Sequence, residues 1–274
     1  MIDMKYYSKI YNQFNIINQC MNREFAMIPK VRALRVNSLR SLTQALELVH
    51  WDKNPVKLYR SVAKLKEIPF FTFNLKERSK ETGGWFRDKF DSLIYEYDLF
   101  LDFDKNKGDK VSTIYDVLNE VKKLLEIFDE FELPYYVQFS GNKGFHVFID
   151  GKYMPKLEII NGQIQSHKRI AEKLKESLDF KYLDLSNNGI GNRLCKVPYS
   201  LCPTEENQIE EEMNVVLPLS KKQIDTFKIE NMKLKNVMNQ VNPINKRGIL
   251  ERFDDLSNEQ KIIKVKKFIK SIDI

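Results

Sequence analysis

Two aspartates one residue apart close the apolar run LFLDFD, Leu99 to Asp104. Side chains alternate faces along a strand, so Asp102 and Asp104 share one face behind Phe100, while Leu99, Leu101 and Phe103 take the other. Like charges held that close raise each other's pKa unless a cation lies between them, which suits Mg²⁺ or Mn²⁺. A solvated strand end is the competing reading, because D-x-D recurs by chance. An EF-hand calcium loop is excluded. In DFDKNKG, Lys107 stands at the sixth position where glycine is required, Thr113 stands at the twelfth in place of glutamate, and the preceding element reads as a strand.

The second cluster is QFSGNKGFHVFID, two apolar runs around Ser140-Gly141-Asn142-Lys143-Gly144. Such a turn can expose backbone N–H groups to an anion, with a hydroxyl before the glycines and an ammonium between them. His146 shares a strand face with Phe148, so its imidazole can reach the same anion. A plain hairpin with Asn142-Lys143 at its tip is the alternative. The third cluster, YLDLSNNGIGNRLCKVPYSLCP, brings Asp184 at a strand end and then Arg193, Lys196 and Ser200; exposed loop charges are the alternative there. Three carboxylates for divalent metal and a set of Ser, Lys, His and Arg for phosphates make the inventory of metal-assisted nucleotidyl transfer. Neither cluster is a Walker loop, which needs G-x-x-x-x-G-K-[ST] opening a helix.

The elements that must position these groups follow from periodicity. Leu93–Phe103 reads as a strand and Ser112–Phe131 as a helix, with Ile114, Val117, Leu118, Val121, Leu124, Leu125 and Phe128 on one face. Strands over Tyr135–Phe139 and Phe145–Ile149 flank the Gly-rich turn. A helix over Gln165–Leu178 and a short strand over Lys181–Leu185 follow. Upstream, the sequence predicts a helical start, a helix SLTQALELVHW capped by Ser41, a strand over Ile68–Leu75 and a break at Thr82-Gly83-Gly84. Downstream of Pro203 the chain turns acidic, then apolar, then rich in Lys and Asn. It ends in a basic amphipathic helix over Asn258–Ile274, whose stripe of Ile262, Ile263, Val265, Phe268 and Ile269 is expected to pack on the same chain.

Composition sets the frame. The 274 residues are 42% hydrophobic and 12% aromatic with only 10 Gly and 9 Pro, which suits a compact α/β protein rather than a repeat or low-complexity chain. The formal net charge of +7 favours a polyanionic partner. Cys20, Cys195 and Cys202 form no C-x-x-C pair, so neither a disulfide framework nor a cysteine-rich zinc ribbon is indicated. The start MIDMKYYSKIYNQ has no signal pattern, and no apolar run approaches the roughly 18 residues a bilayer span needs, so a soluble cytoplasmic protein with no membrane partner is expected.

Taken in order, LDFD, SGNKGFHVFI and LD followed by NRLCKVPYS resemble the three motifs of the archaeo-eukaryotic primase superfamily, closest to the small catalytic subunit of archaeal and eukaryotic DNA primases. The match covers about Leu93 to Pro203. The resemblance implies an α+β fold in which a small sheet of the RNA-recognition type carries the aspartates and packs against a second α/β unit. It implies a catalytic domain over residues 1–250 followed by the helix over 251–274. Asp102, Asp104 and Asp184 match the catalytic carboxylates that bind two divalent ions, Mg²⁺ or Mn²⁺. Ser140, Gly141, Lys143, His146, Arg193 and Lys196, with Ser200 as an addition, match the nucleotide-binding set. No structural zinc is expected, because the scattered Cys and His lack ligand spacing, and Cys202 stands where relatives often carry a histidine.

The implied activity is a primase or primase-polymerase that builds short primers on single-stranded DNA from NTPs or dNTPs, within a nucleoid or replication complex. A large primase subunit and a replication helicase are the candidate protein partners. Two rivals stand beside it. One is a primer-dependent gap-filling or end-joining repair polymerase, and the other is a non-catalytic nucleic-acid-binding replication subunit, for which three carboxylates facing a polyanion serve no purpose.

Overall fold

The computed structural model describes residues 6, 20–28, 31–34, 36, 38–48, 56–68, 90–105, 108–109, 111–186, 188–203, 210–240 and 251–272. Within them the elements run β1 (Phe25–Ile28), β2 (Val31–Leu34), α1 (Leu39–Leu48), β3 (Lys57–Ser61), β4 (Ala63–Leu65), β5 (Ile94–Tyr97), β6 (Leu99–Asp104), α2 (Ile114–Glu130), β7 (Tyr135–Phe139) and β8 (Gly144–Ile149). There follow β9 (Ile159–Ile160), β10 (Gln163–Ile164), α3 (Gln165–Leu178), β11 (Leu194–Lys196), β12 (Leu201–Cys202), β13 (Asn214–Val215), β14 (Leu217–Leu219), α4 (Lys221–Asp225), α5 (Leu234–Gln240) and α6 (Asn258–Ile272). This is a mixed α/β protein with several small sheets.

Two units divide the chain, each assembled from separated stretches. The first takes Met1–Tyr95, Leu194–Leu217 and Phe227–Gly248, and the second takes Glu96–Arg193, Pro218–Thr226 and Ile249–Ile274. In the first unit a four-stranded sheet runs β11-β3-β1-β2, every neighbour antiparallel, over a core that includes Phe25, Met27 and Leu58. Helix α1 buries Leu42, Ala45 and Leu46 at helical spacing. It starts earlier than expected: Ser38, not Ser41, sits at its mouth, and the Ser41 N–H donates to Ser38 Oγ at 3.1 Å. The expected strand beyond Ile68, the Thr82-Gly83-Gly84 break and the start of the acidic stretch after Pro203 lie outside the described residues.

The second unit holds the sheet β14-β7-β8-β6, in which β8 runs antiparallel to both β6 and β7. Thr113 opens α2, its N–H and hydroxyl both donating to the Asp116 carboxylate, at 2.6 and 2.9 Å. The helix buries Val117, Leu118, Val121, Leu124, Leu125 and Phe128, the stripe its periodicity called for, and the Phe128 ring meets Tyr135 of β7. Helix α6 closes the same core. Val265 and Phe268 are buried, and the Phe268 ring packs edge-on against Phe128 and Phe131. Burial of one such phenylalanine stabilises by about 1.5–3 kcal/mol. Ile263 of the expected stripe instead faces solvent, at 63% exposure.

Polar contacts reinforce this closure. Asp129 at the end of α2 accepts from the Tyr135 hydroxyl at 2.9 Å and pairs with Lys221 and Arg252, while the nearly buried Lys261 of α6 pairs with Glu251 at 2.6 Å. Elsewhere the expectations need small corrections. The Leu93–Phe103 strand is interrupted at Asp98, whose buried carboxylate accepts the Gly151 N–H at 3.0 Å. The segment Lys181–Leu185 forms no strand of its own; a single bridge joins Leu183 to Phe103. Among the described residues no helix is long and apolar enough to cross a membrane.

Candidate active site

Strand register places the site residues in rungs on one face of the second unit's sheet. Gln138, His146 and Asp102 align across β7, β8 and β6, and Gly144 aligns with Asp104 one rung further along. On the other side, Tyr136, Phe148 and Phe100 form an aromatic rung, with Tyr136 stacked on Phe148 at 4.5 Å and Phe100 edge-on to His146 at 5.1 Å. The opposite face carries Leu101, Phe103, Phe145 and Val147, all buried. Strict alternation therefore sends the apolar set to the α2 core and the polar set to the site.

The third carboxylate arrives by backbone pairing. The Asp184 N–H donates to Asp102 O and the Asp104 N–H donates to Tyr182 O, each at 2.9 Å, so residues 182–184 lie along β6 as a short edge segment. The Asp184 carboxylate accepts the Ser186 N–H at 2.8 Å and the Ser186 hydroxyl at 2.6 Å.

Arg193, His146 and Lys143 answer Asp102 and Asp104. Arg193 donates to Asp102 Oδ2 at 2.6 Å and lies over the Phe100 ring at 5.6 Å. His146 Nε2 stands 3.5 Å from Asp102 Oδ1, and its Nδ1 lies 2.9 Å from Gln138 Nε2. An amide donating to Nδ1 leaves Nε2–H as the atom that faces Asp102. Lys143 pairs with Asp104 at 3.2 Å and donates to Lys105 O at 2.9 Å. Burial pushes the Asp102 carboxyl up to about 6; Arg193 pulls it down, and the neighbouring Asp104 and Asp184 push it up again.

The turn between β7 and β8 explains its glycines. Gly141 has φ +82°, a backbone conformation that disfavours side chains. Gly144 serves a close approach: a Cβ there would stand 2.0 Å from Phe103 O and 2.4 Å from the Asp104 carboxylate. Ser140 is buried, and its N–H donates to Gly144 O at 2.9 Å.

Asp102, Asp104, Asp184, Ser140, Gly141, Lys143, His146 and Arg193 thus all belong to the second unit. Lys196 and Ser200 belong to the first. Lys196 pairs with Tyr59 across β11 and β3, and its Nζ lies 3.5 Å from Cys202 Sγ; the Ser200 hydroxyl donates to Val197 O at 2.7 Å within a turn.

Two residues escaped sequence reasoning. Gln138 sits in the same rung as His146 and Asp102 but reads as an ordinary strand polar. Glu120 lies on the buried face of α2, and its carboxylate accepts the N–H of Lys181 at 2.8 Å and of Tyr182 at 2.9 Å. A carboxylate within an otherwise apolar helical stripe was the available signal.

The donor set suits a hard divalent cation: three carboxylates on paired backbone, one of them buried and pushed upward by the other two. In this structure Asp102 and Asp104 face cations of the chain while Asp184 accepts from Ser186, and among the described residues no three His, Cys, Asp or Glu side chains converge as ligands.

No family model matches the chain, and no curated protein matches it significantly. Among solved structures it is similar to the polymerase domain of Ligase D from Mycobacterium tuberculosis, in complex with DNA, with a TM-score of 0.55 over 90% of this chain and 88% of that one at 12% identity. At that identity the likeness bears on the fold alone.

Proposed function

We propose that the chain is a DNA-dependent nucleotidyltransferase, a primase or primase-polymerase that joins nucleoside triphosphates on a single-stranded DNA template. The observation that carries this reading is the placement of three carboxylates, Asp102, Asp104 and Asp184, on adjoining backbone of one sheet, with Arg193 and His146 against Asp102 and Lys143 against Asp104. Asp102, Asp104 and Asp184 would hold two divalent ions, Mg²⁺ or Mn²⁺, and ions bound there would supply charge neutralisation for the attacking 3′-hydroxyl and the leaving pyrophosphate.

The remaining roles fall to the chain's own side chains. Arg193 offers a planar fork suited to phosphate oxygens, and Lys143 offers a point charge beside the Gly-rich turn. His146, whose Nε2–H is set by the Gln138 amide and faces Asp102, would donate to a phosphate oxygen beside that carboxylate. Ser140 and Gly141 would frame the same triphosphate from the turn. The basic charge of +7 suits the template backbone, and binding to it should weaken steeply with salt.

A second reading has its own support. The fold neighbour is a polymerase domain attached to a ligase and in complex with DNA, which favours primer-dependent gap-filling or end-joining synthesis. One experiment separates the two: purified protein and its Asp102→Ala variant on primed and unprimed single-stranded DNA, with Mn²⁺ or Mg²⁺ and labelled NTPs or dNTPs. Template-dependent oligomers without a primer, lost in the variant, establish a primase. Extension only from a primer moves the assignment to a repair polymerase. DNA binding without synthesis on either template leaves the binding subunit.

A further inference from the structure

Among the described residues no strand lies beyond the segment that carries Asp184 to hold it against β6. Its inner side makes two backbone hydrogen bonds, Asp184 N–H to Asp102 O and Asp104 N–H to Tyr182 O. Side chains hold it as well. The Glu120 carboxylate takes the N–H of Lys181 on one oxygen and that of Tyr182 on the other, the Lys175 ammonium donates to Leu183 O, and the Tyr182 hydroxyl donates to Ser112 Oγ at 2.7 Å. Glu120 projects from the buried face of α2 and is only 8% exposed. A carboxylate shielded from water and satisfied by two consecutive amides is a stiff, charge-assisted clamp.

We infer that Glu120 is a positioning residue: it fixes the edge segment so that Asp184 stands beside Asp102 and Asp104. The metal part of this role rests on the function proposed above; the clamp itself does not. Glu120 acts through the backbone of Lys181 and Tyr182. Glutamine at the same position would keep the shape but present one acceptor oxygen and one N–H₂ group, so one of the two amides would face a donor. The segment would then be free to lift from β6, and with it the third carboxylate.

The test uses the full chain in four forms: wild type, Glu120→Gln, Asp184→Asn and the double variant. Hydrogen exchange is read at the amides of residues 181–184 and of the central strands around Val137 and Val147, and Mn²⁺ affinity is titrated by electron paramagnetic resonance. Expected in Glu120→Gln is at least tenfold faster exchange at 181–184, with exchange at the central strands unchanged. Mn²⁺ affinity should fall by about 10–100-fold, the range for groups that orient a metal ligand. In the Asp184→Asn background the same substitution should change affinity by less than about twofold, because the ligand it positions is already gone.

Unchanged exchange at 181–184, or a full loss of affinity that persists in the Asp184→Asn background, overturns the inference. Wild-type protein that binds no Mn²⁺ overturns the proposed metal chemistry instead, and exchange alone then decides the clamp. Should Glu120→Gln fail to fold, Lys175→Met releases the segment at Leu183 and is judged by the same exchange pattern.

Discussion

Gly144→Ala tests the closest backbone approach in the site. The added Cβ would stand 2.0 Å from Phe103 O, where ordinary contact begins near 3.4 Å, so β8 must retreat from β6 by about 1.4 Å at this rung. Such a shift strains the ladder at the pair Asp104–Gly144 and displaces the Asp104 carboxylate, which a Cβ would meet at 2.4 Å. Overpacking of this kind costs about 1–3 kcal/mol, readable as a lower urea midpoint at unchanged slope. A misplacement of about 1 Å in a positioned group costs on the order of 10²-fold in rate, so template-dependent synthesis should fall by roughly that factor at a temperature where the variant remains folded. Asn142→Ala, at the exposed tip of the same turn, is the control and should stay within about 0.5 kcal/mol. A Gly144→Ala variant as stable and as active as that control would refute the close-approach account.

Two further outcomes test the packing around the site. His167 is buried, with Nε2 3.0 Å from Tyr97 O and Nδ1 3.1 Å from Ser166 Oγ; burial pushes its pKa down from 6.5 to about 4, against the opposing pull of the Tyr97 carbonyl and Asp98. Below pH 6.5 the unfolded chain therefore binds a proton that the folded chain refuses until near pH 4, so stability contributed at neutral pH declines by about 3 kcal/mol across that window. Urea unfolding of wild type and His167→Gln between pH 7 and 4 checks this, and equal slopes in the two proteins would count against it. Phe268→Ala should cost about 3–5 kcal/mol, because the ring fills the space between Phe128 and Phe131; a loss under about 0.5 kcal/mol would mean that α6 is not docked there.

The local elements were the most legible part of the chain. Strict alternation and a turn rich in glycine located β7 and β8, and the span Gln165–Leu178 matches α3 residue for residue. The aspartates of LDFD were legible for the same reason, since period-two patterning alone puts them on one face. What the sequence hid was non-local. Nothing near Asp184 says that its segment borrows Asp102 and Asp104 as backbone partners, or that Glu120, some sixty residues earlier, clamps it. The interruption at Asp98 likewise depends on the Gly151 N–H, and the choice of Ser38 over Ser41 as the mouth of α1 turns on a local set of hydrogen bonds between two equally suitable serines.

The interleaved composition of the second unit has a consequence for how the protein is made. Arg252 N–H donates to Tyr135 O at 2.7 Å and α6 sets Phe268 against Phe128 and Phe131, so the end of α2 beside β7 waits for the chain around residues 252–268 before it is covered. Synthesis on the ribosome delivers β6, β7, β8 and α2 long before that cover arrives. Until then the nascent unit exposes the surface around Phe128 of α2 and must be protected from association with other chains. A message truncated shortly after α5 would thus encode every carboxylate of the candidate site and still yield an aggregation-prone polypeptide.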